Sequence, residues 1–232
     1  REVLEPMGKK LIGIRLDSGD LAYLSKEARK MLDEAGLSDC MIVASNSLDE
    51  YTISSLNRQG AKIDSYGVGE RLITSSSTPV FGAVYKLVAI QKDGKFIPKI
   101  KISETAEKIT NPGIKEVYRV YDENGKAVAD YLAVKGEQIR DLEPVRYVDP
   151  VNYWKNRSFV GCRFKKLQVP VFEKGKRIYD LPDIEEIRQY VKDQLENEIW
   201  EEEQRFENAH THYLDMSPAM FELKMSLLHE EN

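Results

Sequence analysis

Sulfur and imidazole are scarce in this chain, which has two cysteines, three histidines and two tryptophans in 232 residues. Cys40 and Cys162 lie far apart in apolar stretches, which fits buried free thiols in a reducing compartment and excludes a disulfide framework. His210-x-His212 has no third His or Cys spaced to complete a zinc site, so a surface loop is the simpler reading. No Ser–His–Asp or Cys–His nucleophile set can be assembled. No segment approaches the ~18 consecutive apolar residues of a membrane span, and no signal-peptide pattern opens the chain, so a cytoplasmic protein without membrane contact is expected. Positive charge is also lacking: 34 Lys and Arg stand against 39 Asp and Glu, a net charge of −5. Nucleic-acid binding needs a clustered basic excess. The one basic cluster, Arg157, Arg163, Lys165 and Lys166, reads as a solvated face.

What is present is a soluble globular composition, 41% apolar and 31% charged, in a length that suits one large domain or a domain with an appendage. The chain opens on Arg1 with no initiator Met, and its first strand comes after only ten residues. A C-terminal portion of a longer protein is therefore expected.

Chemistry concentrates at Gly13-Ile14-Arg15-Leu16-Asp17-Ser18-Gly19-Asp20. An apolar run (Leu11, Ile12, Ile14) stops there and a helical pattern follows (Leu21, Leu24, Ala28, Met31, Leu32), closing at Gly36. A strand, a glycine corner and a helix start aim backbone N–H groups and side chains at one point. The carboxylates of Asp17 and Asp20 repel a bare phosphate and suit sugar hydroxyls, a metal ion or Arg15, so the mixture fits a sugar phosphate. Met41-Ile42-Val43-Ala44 reads as a strand buried on both faces. It ends at Ser45-Asn46-Ser47, where Ser47 and Glu50 have capping-box spacing for a helix that runs to Gly60. A third strand over residues 62–68 breaks into Gly67-Val68-Gly69-Glu70. This is no dinucleotide fingerprint, because Leu72 stands where the third glycine belongs. Three strand–helix units imply parallel pairing, with ligands at the carboxyl ends of the strands. Arg15 and Asp17, Ser45 and Asn46, and Gly67 and Gly69 should therefore converge on one face.

Beyond Pro79 the period changes to two. Residues 80–91, with Val80, Phe81, Val84 and Tyr85, and residues 96–102 read as strands about an Asp93-Gly94 turn. Residues 117–121 and 127–134 form a second hairpin, Asn111-Pro112-Gly113 is a turn, and residues 158–164 and 168–172 are strand-like. A last helix starts at Asp183 with Glu186 as its capping partner, and Ile184, Ile187, Val191, Leu195 and Ile199 make its inner stripe. Its acidic end, Glu201-Glu202-Glu203, calls for fraying or a basic neighbour. The tail from His210 onward is amphipathic enough to dock. The expected fold is α/β: parallel strand–helix units over residues 1–79, an antiparallel β-rich layer over 80–175, and a C-terminal helix with a docking tail over 176–232.

Ile14-Arg15-Leu16-Asp17-Ser18-Gly19-Asp20-Leu21, Ser45-Asn46-Ser47-Leu48-Asp49 and Tyr66-Gly67-Val68-Gly69-Glu70-Arg71-Leu72-Ile73-Thr74-Ser75 resemble, in that order, segments of bacterial nicotinate phosphoribosyltransferases, type II phosphoribosyltransferases. Lys108-Ile109-Thr110-Asn111-Pro112-Gly113, Arg205-Phe206-Glu207-Asn208 and Leu214-Asp215-Met216-Ser217-Pro218 extend the resemblance along nearly the whole chain. It implies an irregular α/β barrel of which this chain supplies the later strands. It also implies a homodimer, and the ATP-coupled formation of nicotinate mononucleotide and diphosphate from nicotinate and phosphoribosyl diphosphate, with Mg²⁺ on the phosphates. Arg15 would contact nicotinate or the 5′-phosphate, and Asp17 the ribose hydroxyls or the Mg²⁺-diphosphate. These two would be the catalytic residues, with no fixed metal site. Ser18, Ser45, Asn46, Gly67, Gly69 and Glu70 would complete the phosphate and ribose site. Many relatives have Thr where this chain has Glu70, so only a backbone N–H contact carries over there. In the family the catalytic His and the aromatic residue that stacks on the pyridine precede the segment matched here. None of His210, His212 and His229 has a matching context, so little activity is expected of this chain alone. The alternatives are a nicotinamide-using sibling and a noncatalytic fragment that binds sugar phosphates or mediates dimerisation.

Overall fold

In the computed structural model, which describes residues 2–80, 82–105 and 108–230, the chain divides between residues 83 and 84 into two units. In the first, β1 (Gly13–Leu16), β2 (Met41–Ala44) and β3 (Ser65–Tyr66) lie parallel in that order. Helix α1 (Leu21–Glu34) follows β1. Asp20 is its N-cap, accepting the Tyr23 N–H at 3.0 Å, so this carboxylate is spent on the helix rather than held for a ligand. The helix closes as the glycine predicts. Gly36 has φ of 72°, and the Gly36 and Leu37 N–H groups return to the carbonyls of Asp33 and Leu32. Leu21, Ala22 and Leu32 face the core with Ile42 and Ala44, whereas Met31, placed inward by spacing, is 68% exposed. β2 is buried on one face: Ile42 and Ala44 are inside, Val43 is half-buried and Met41 is exposed.

Two expectations for this unit fail for identifiable reasons. Helix α2 (Glu50–Arg58) is capped by Asp49, not Ser47. Asn46 and Ser47 both take left-handed backbone, φ 96° and 46°, and this turn delays the helix start by two residues. Strand β3 is two residues long rather than seven. The Asp64 carboxylate takes the Ile42 N–H at 2.8 Å and the Lys62 N–H donates to the buried Ser25 hydroxyl at 2.9 Å, so only the Asp64 N–H, on the Ile42 carbonyl at 2.9 Å, keeps a backbone bond to β2 before β3. A one-turn helix, α3 (Glu70–Ile73), follows Gly69.

The second unit begins with the hairpin β4 (Ala89–Lys92) and β5 (Lys95–Pro98). Its Asp93-Gly94 turn has φ of 49° and 75°, the mirror-image turn that matches strand twist. Both strands are shorter than expected. Pairing closes at Ala89 opposite Pro98, which has no N–H to donate, and residues 82–88 carry no strand. Phe81 lies outside the described residues. β6 (Lys115–Tyr121) and β7 (Ala127–Val134) form the longest pair. β8 (Val145–Val148), β9 (Asn156–Phe159) and β10 (Arg163–Lys166) join them. The expected strand over 158–164 is two strands, broken where Gly161 turns at φ 67°. Of residues 168–172 only Phe172 is in a strand, in the small hairpin β11 (Phe172–Glu173) and β12 (Lys176–Arg177). Gln168 instead bonds to the backbone of Val117 and Lys115 through its side chain.

Helix α4 (Ile184–Asp193) has the Asp183–Glu186 capping box that the sequence predicts. Its stripe does not face inward: Ile184, Ile187, Val191 and Leu195 are 44–69% exposed. Spacing identifies a face, not what covers it. The acidic triplet forms a separate 3₁₀ turn, Glu201–Glu203. Strand β13 (Leu214–Met216) then enters the sheet parallel to β7 and antiparallel to β8, giving the order β10-β6-β7-β13-β8-β9. Helix α5 (Pro218–Glu230) lays Met220 on it, so the tail docks within its own unit. One face of the sheet packs Val120, Tyr131, Ala133 and Cys162; the other packs Leu132, Val148, Met216 and Met220. Alternation along β7 supplies both faces. Cys40 and Cys162 are buried free thiols, as expected. Among the described residues no helix is long and apolar enough to cross a membrane.

Candidate active-site rim

The carboxyl ends of β1, β2 and β3 meet as parallel pairing requires. Arg15 is the outward residue of β1, and its Nη1 donates to the Ser45 hydroxyl at 3.0 Å. That hydroxyl donates in turn to Asp17 Oδ1 at 2.6 Å, and Arg15 Nη1 stands 3.3 Å from the same carboxylate oxygen. Ser45 thus uses its proton on Asp17 and a lone pair on Arg15, fixing a cation and an anion side by side. The Arg15 and Asp17 side chains are 64% and 50% exposed, so the pair contributes only ~0–1 kcal/mol to stability. The fold does not need it, and its unused donors and acceptors face solvent.

Asn46, at φ 96°, continues directly from Ser45. Gly67 approaches from β3: a Cβ there would lie 3.5 Å from the Ser45 Cβ. Its N–H, however, donates to the Ala44 carbonyl at 2.8 Å, so it belongs to the sheet and is not offered to an anion. Gly69 is exposed, with φ −125° and ψ −96°, outside the helical and extended regions. Ser18, in the bend after β1, and Glu70, the first residue of α3, are exposed. The sequence missed a second ion pair on this rim. Asp49 accepts the Thr52 N–H through Oδ1 and pairs through Oδ2 with Arg71, in the first turn of α3. The hydrogen bonds from Thr52, reinforced by Arg71, hold the Asp49 carboxyl below the usual carboxylate range. The readable signal was an Asp directly before a helix together with an Arg just after the glycine pair. Among the described residues no group of three or more His, Cys, Asp or Glu side chains is placed to hold a metal ion.

The second unit holds a different polar cluster. Arg119 grips Asp130 through two hydrogen bonds of 2.9 and 3.1 Å. His212 sits between Asp130, 3.4 Å from Nε2, and Glu203, 3.1 Å from Nδ1. It lies in a loop, as the spacing suggests, but half-buried there. His210 is exposed and stacks edge-on against Tyr213. Nearby on β13, Asp215 is 8% exposed; burial, aided by the Asp149 charge, pushes its carboxyl up to about 6. The basic cluster is solvated, with Lys166 reaching across to Glu116.

Residues 114–224 match the family model described as the nicotinate phosphoribosyltransferase C-terminal domain. The chain is 48% identical over 220 residues to nicotinate phosphoribosyltransferase of Bacillus subtilis, covering 94% of this chain and 45% of that protein. It is 36% identical over 234 residues to the enzyme of the same name from Dictyostelium discoideum, covering 94% of this chain and 39% of the relative. A crystal structure of human nicotinic acid phosphoribosyltransferase superposes with a TM-score of 0.74 at 24% identity, over 97% of this chain and 42% of that one, a likeness of fold. The chain spans less than half the length of the relatives it matches.

Proposed function

The chain belongs to the nicotinate phosphoribosyltransferase family, matching the C-terminal portion of its relatives, and from that premise we propose that it contributes the phosphoribosyl-binding rim of an enzyme that makes nicotinate mononucleotide for NAD salvage. In this reading the three parallel units are later strands of an irregular α/β barrel. The complete enzyme is a cytoplasmic homodimer that takes nicotinate, phosphoribosyl diphosphate and ATP.

The observation that carries the reading is the Ser45-bridged Arg15–Asp17 pair at the ends of adjacent parallel strands. Displacement at an anomeric carbon passes through an oxocarbenium-like state, which needs a held leaving group and placed charge rather than a covalent nucleophile. Asp17, with one oxygen fixed by Ser45, presents the other to ribose hydroxyls. Arg15 presents its remaining N–H donors to an anionic group, the 5′-phosphate or the pyridine carboxylate. The rim carries Arg15 and Arg71 with Asp17, Asp20, Asp49 and Glu70, two net negative charges, so a Mg²⁺-complexed diphosphate suits it better than a bare one. When bound, Mg²⁺ would neutralise the departing oxygens.

The test is calorimetric titration of the 232-residue protein with Mg²⁺ and phosphoribosyl diphosphate, beside Asp17→Asn. Micromolar binding, weakened tenfold or more by the variant, is the expected result (on the order of 1.4 kcal/mol). Equal binding by the two proteins would overturn the site. Turnover of nicotinate by this protein is expected to be negligible, and a nicotinamide arm distinguishes the sibling activity.

A further inference from the structure

The second ion pair of the rim has no structural need to be where it is. Asp49 would cap α2 without Arg71, whose guanidinium is 47% exposed and open to solvent. Yet the chain between Ser45 and Asp49 passes through two consecutive left-handed residues that are not glycine, Asn46 and Ser47. Strain of this kind persists where the surroundings over-determine it, and it collects at functional sites. The turn ends on a carboxylate that is 14% exposed, with each oxygen committed, one to Thr52 and one to Arg71. Arg71 is 47% exposed: its Nη1 is tied down, and a guanidinium has five N–H donors in a rigid plane. On the third loop no side chain other than that of Arg71 carries positive charge. The Gly67 N–H is used by Ala44, and Glu70 brings a negative charge.

We infer that Arg71 binds phosphoryl oxygens of the ligand at this rim, and that Asp49 is its positioning residue, clasping the loop after β3 to the loop after β2. The inference rests on the phosphoribosyl reading of the site. Arg71 then supplies the third loop with a positive charge and a planar fork of donors. Asp49 fixes the plane of that fork before ligand arrives.

The experiment titrates the whole protein with Mg²⁺ and phosphoribosyl diphosphate, comparing the unmodified chain with Arg71→Ala, Arg71→Lys, Asp49→Asn and, as the reference for the site, Asp17→Asn. Asn is as good an N-cap as Asp, so Asp49→Asn keeps the helix start while releasing Arg71. Arg71→Ala is expected to weaken binding about tenfold or more, and Arg71→Lys nearly as much because the fork is lost. Asp49→Asn should weaken it a few-fold with an unchanged melting temperature. Added guanidinium ion at low millimolar concentration should restore part of the affinity of Arg71→Ala and none to Asp17→Asn, a rescue that a merely structural role would not give. Affinity unchanged in both Arg71 variants, while Asp17→Asn still loses it, would overturn the inference and leave the site standing. Loss without guanidinium rescue would overturn direct contact by Arg71. No binding by the unmodified protein would overturn the site, and this inference with it.

Discussion

The two units put their charged side chains to opposite uses. In the first, Arg15, Asp17 and Arg71 stand at the open ends of parallel strands with 47–64% of their side-chain surface in water. In the second, Arg119, Asp130, Glu203 and His212 lie 12–26% exposed between packed elements, and Asp215 is buried outright. Charges left in water cost the fold nothing and add almost nothing to it, so they are free to serve a ligand. Charges taken out of water must be satisfied by one another, and they report on stability.

Three measurements would break or sharpen this contrast. The largest effect is expected from Tyr131→Ala in the second unit. Its ring is 2% exposed, meets Phe159 and Phe164 edge-on, and donates its hydroxyl to the Arg146 carbonyl. Urea denaturation should show a loss of about 3–5 kcal/mol. Next comes Asp215→Asn. With a folded carboxyl at about 6 against 3.8 unfolded, the protonated form is favoured in the fold. Stability from this group is complete below pH about 4 and is lost as pH rises through 6, by up to about 3 kcal/mol. The Asn variant should flatten that slope and be the more stable protein at pH 7.5. The smallest effect is expected from Arg15→Ala, less than about 1 kcal/mol in the same denaturation. A cost of several kcal/mol there would show that the rim is structural after all.

How far these arrangements were legible in the sequence differs between the units in the same way. The convergence of Arg15, Asp17 and Ser45 followed from parallel pairing alone, because apolar runs stop abruptly at polar residues and topology brings the stopping points together. Asp49 as the cap was hidden because two non-glycine residues adopt left-handed backbone, which residue type does not announce. β8 and β13 went unread: each is three or four residues long, too short for a period to declare itself, and their pairing is long-range. The Asp183–Glu186 box is purely local and was read correctly, while the exposure of the stripe behind it depends on what lies opposite. His212 does lie in a loop, but its burial was hidden because its partners, Glu203 and Asp130, are brought to it by the fold.

The seat of β13 has a consequence for how the second unit is made. Leu214–Met216 fills the gap between β7 and β8. A growing chain therefore carries β6, β7, β8, β9 and β10 for some 50 further residues before the piece that unites them is synthesised. Until then two strand edges lie open, and closure must draw together segments about 80 residues apart, a slow step by the measure of contact order. During synthesis the unit is a pair of unfinished half-sheets. It becomes one body only once Leu214–Met216 has emerged.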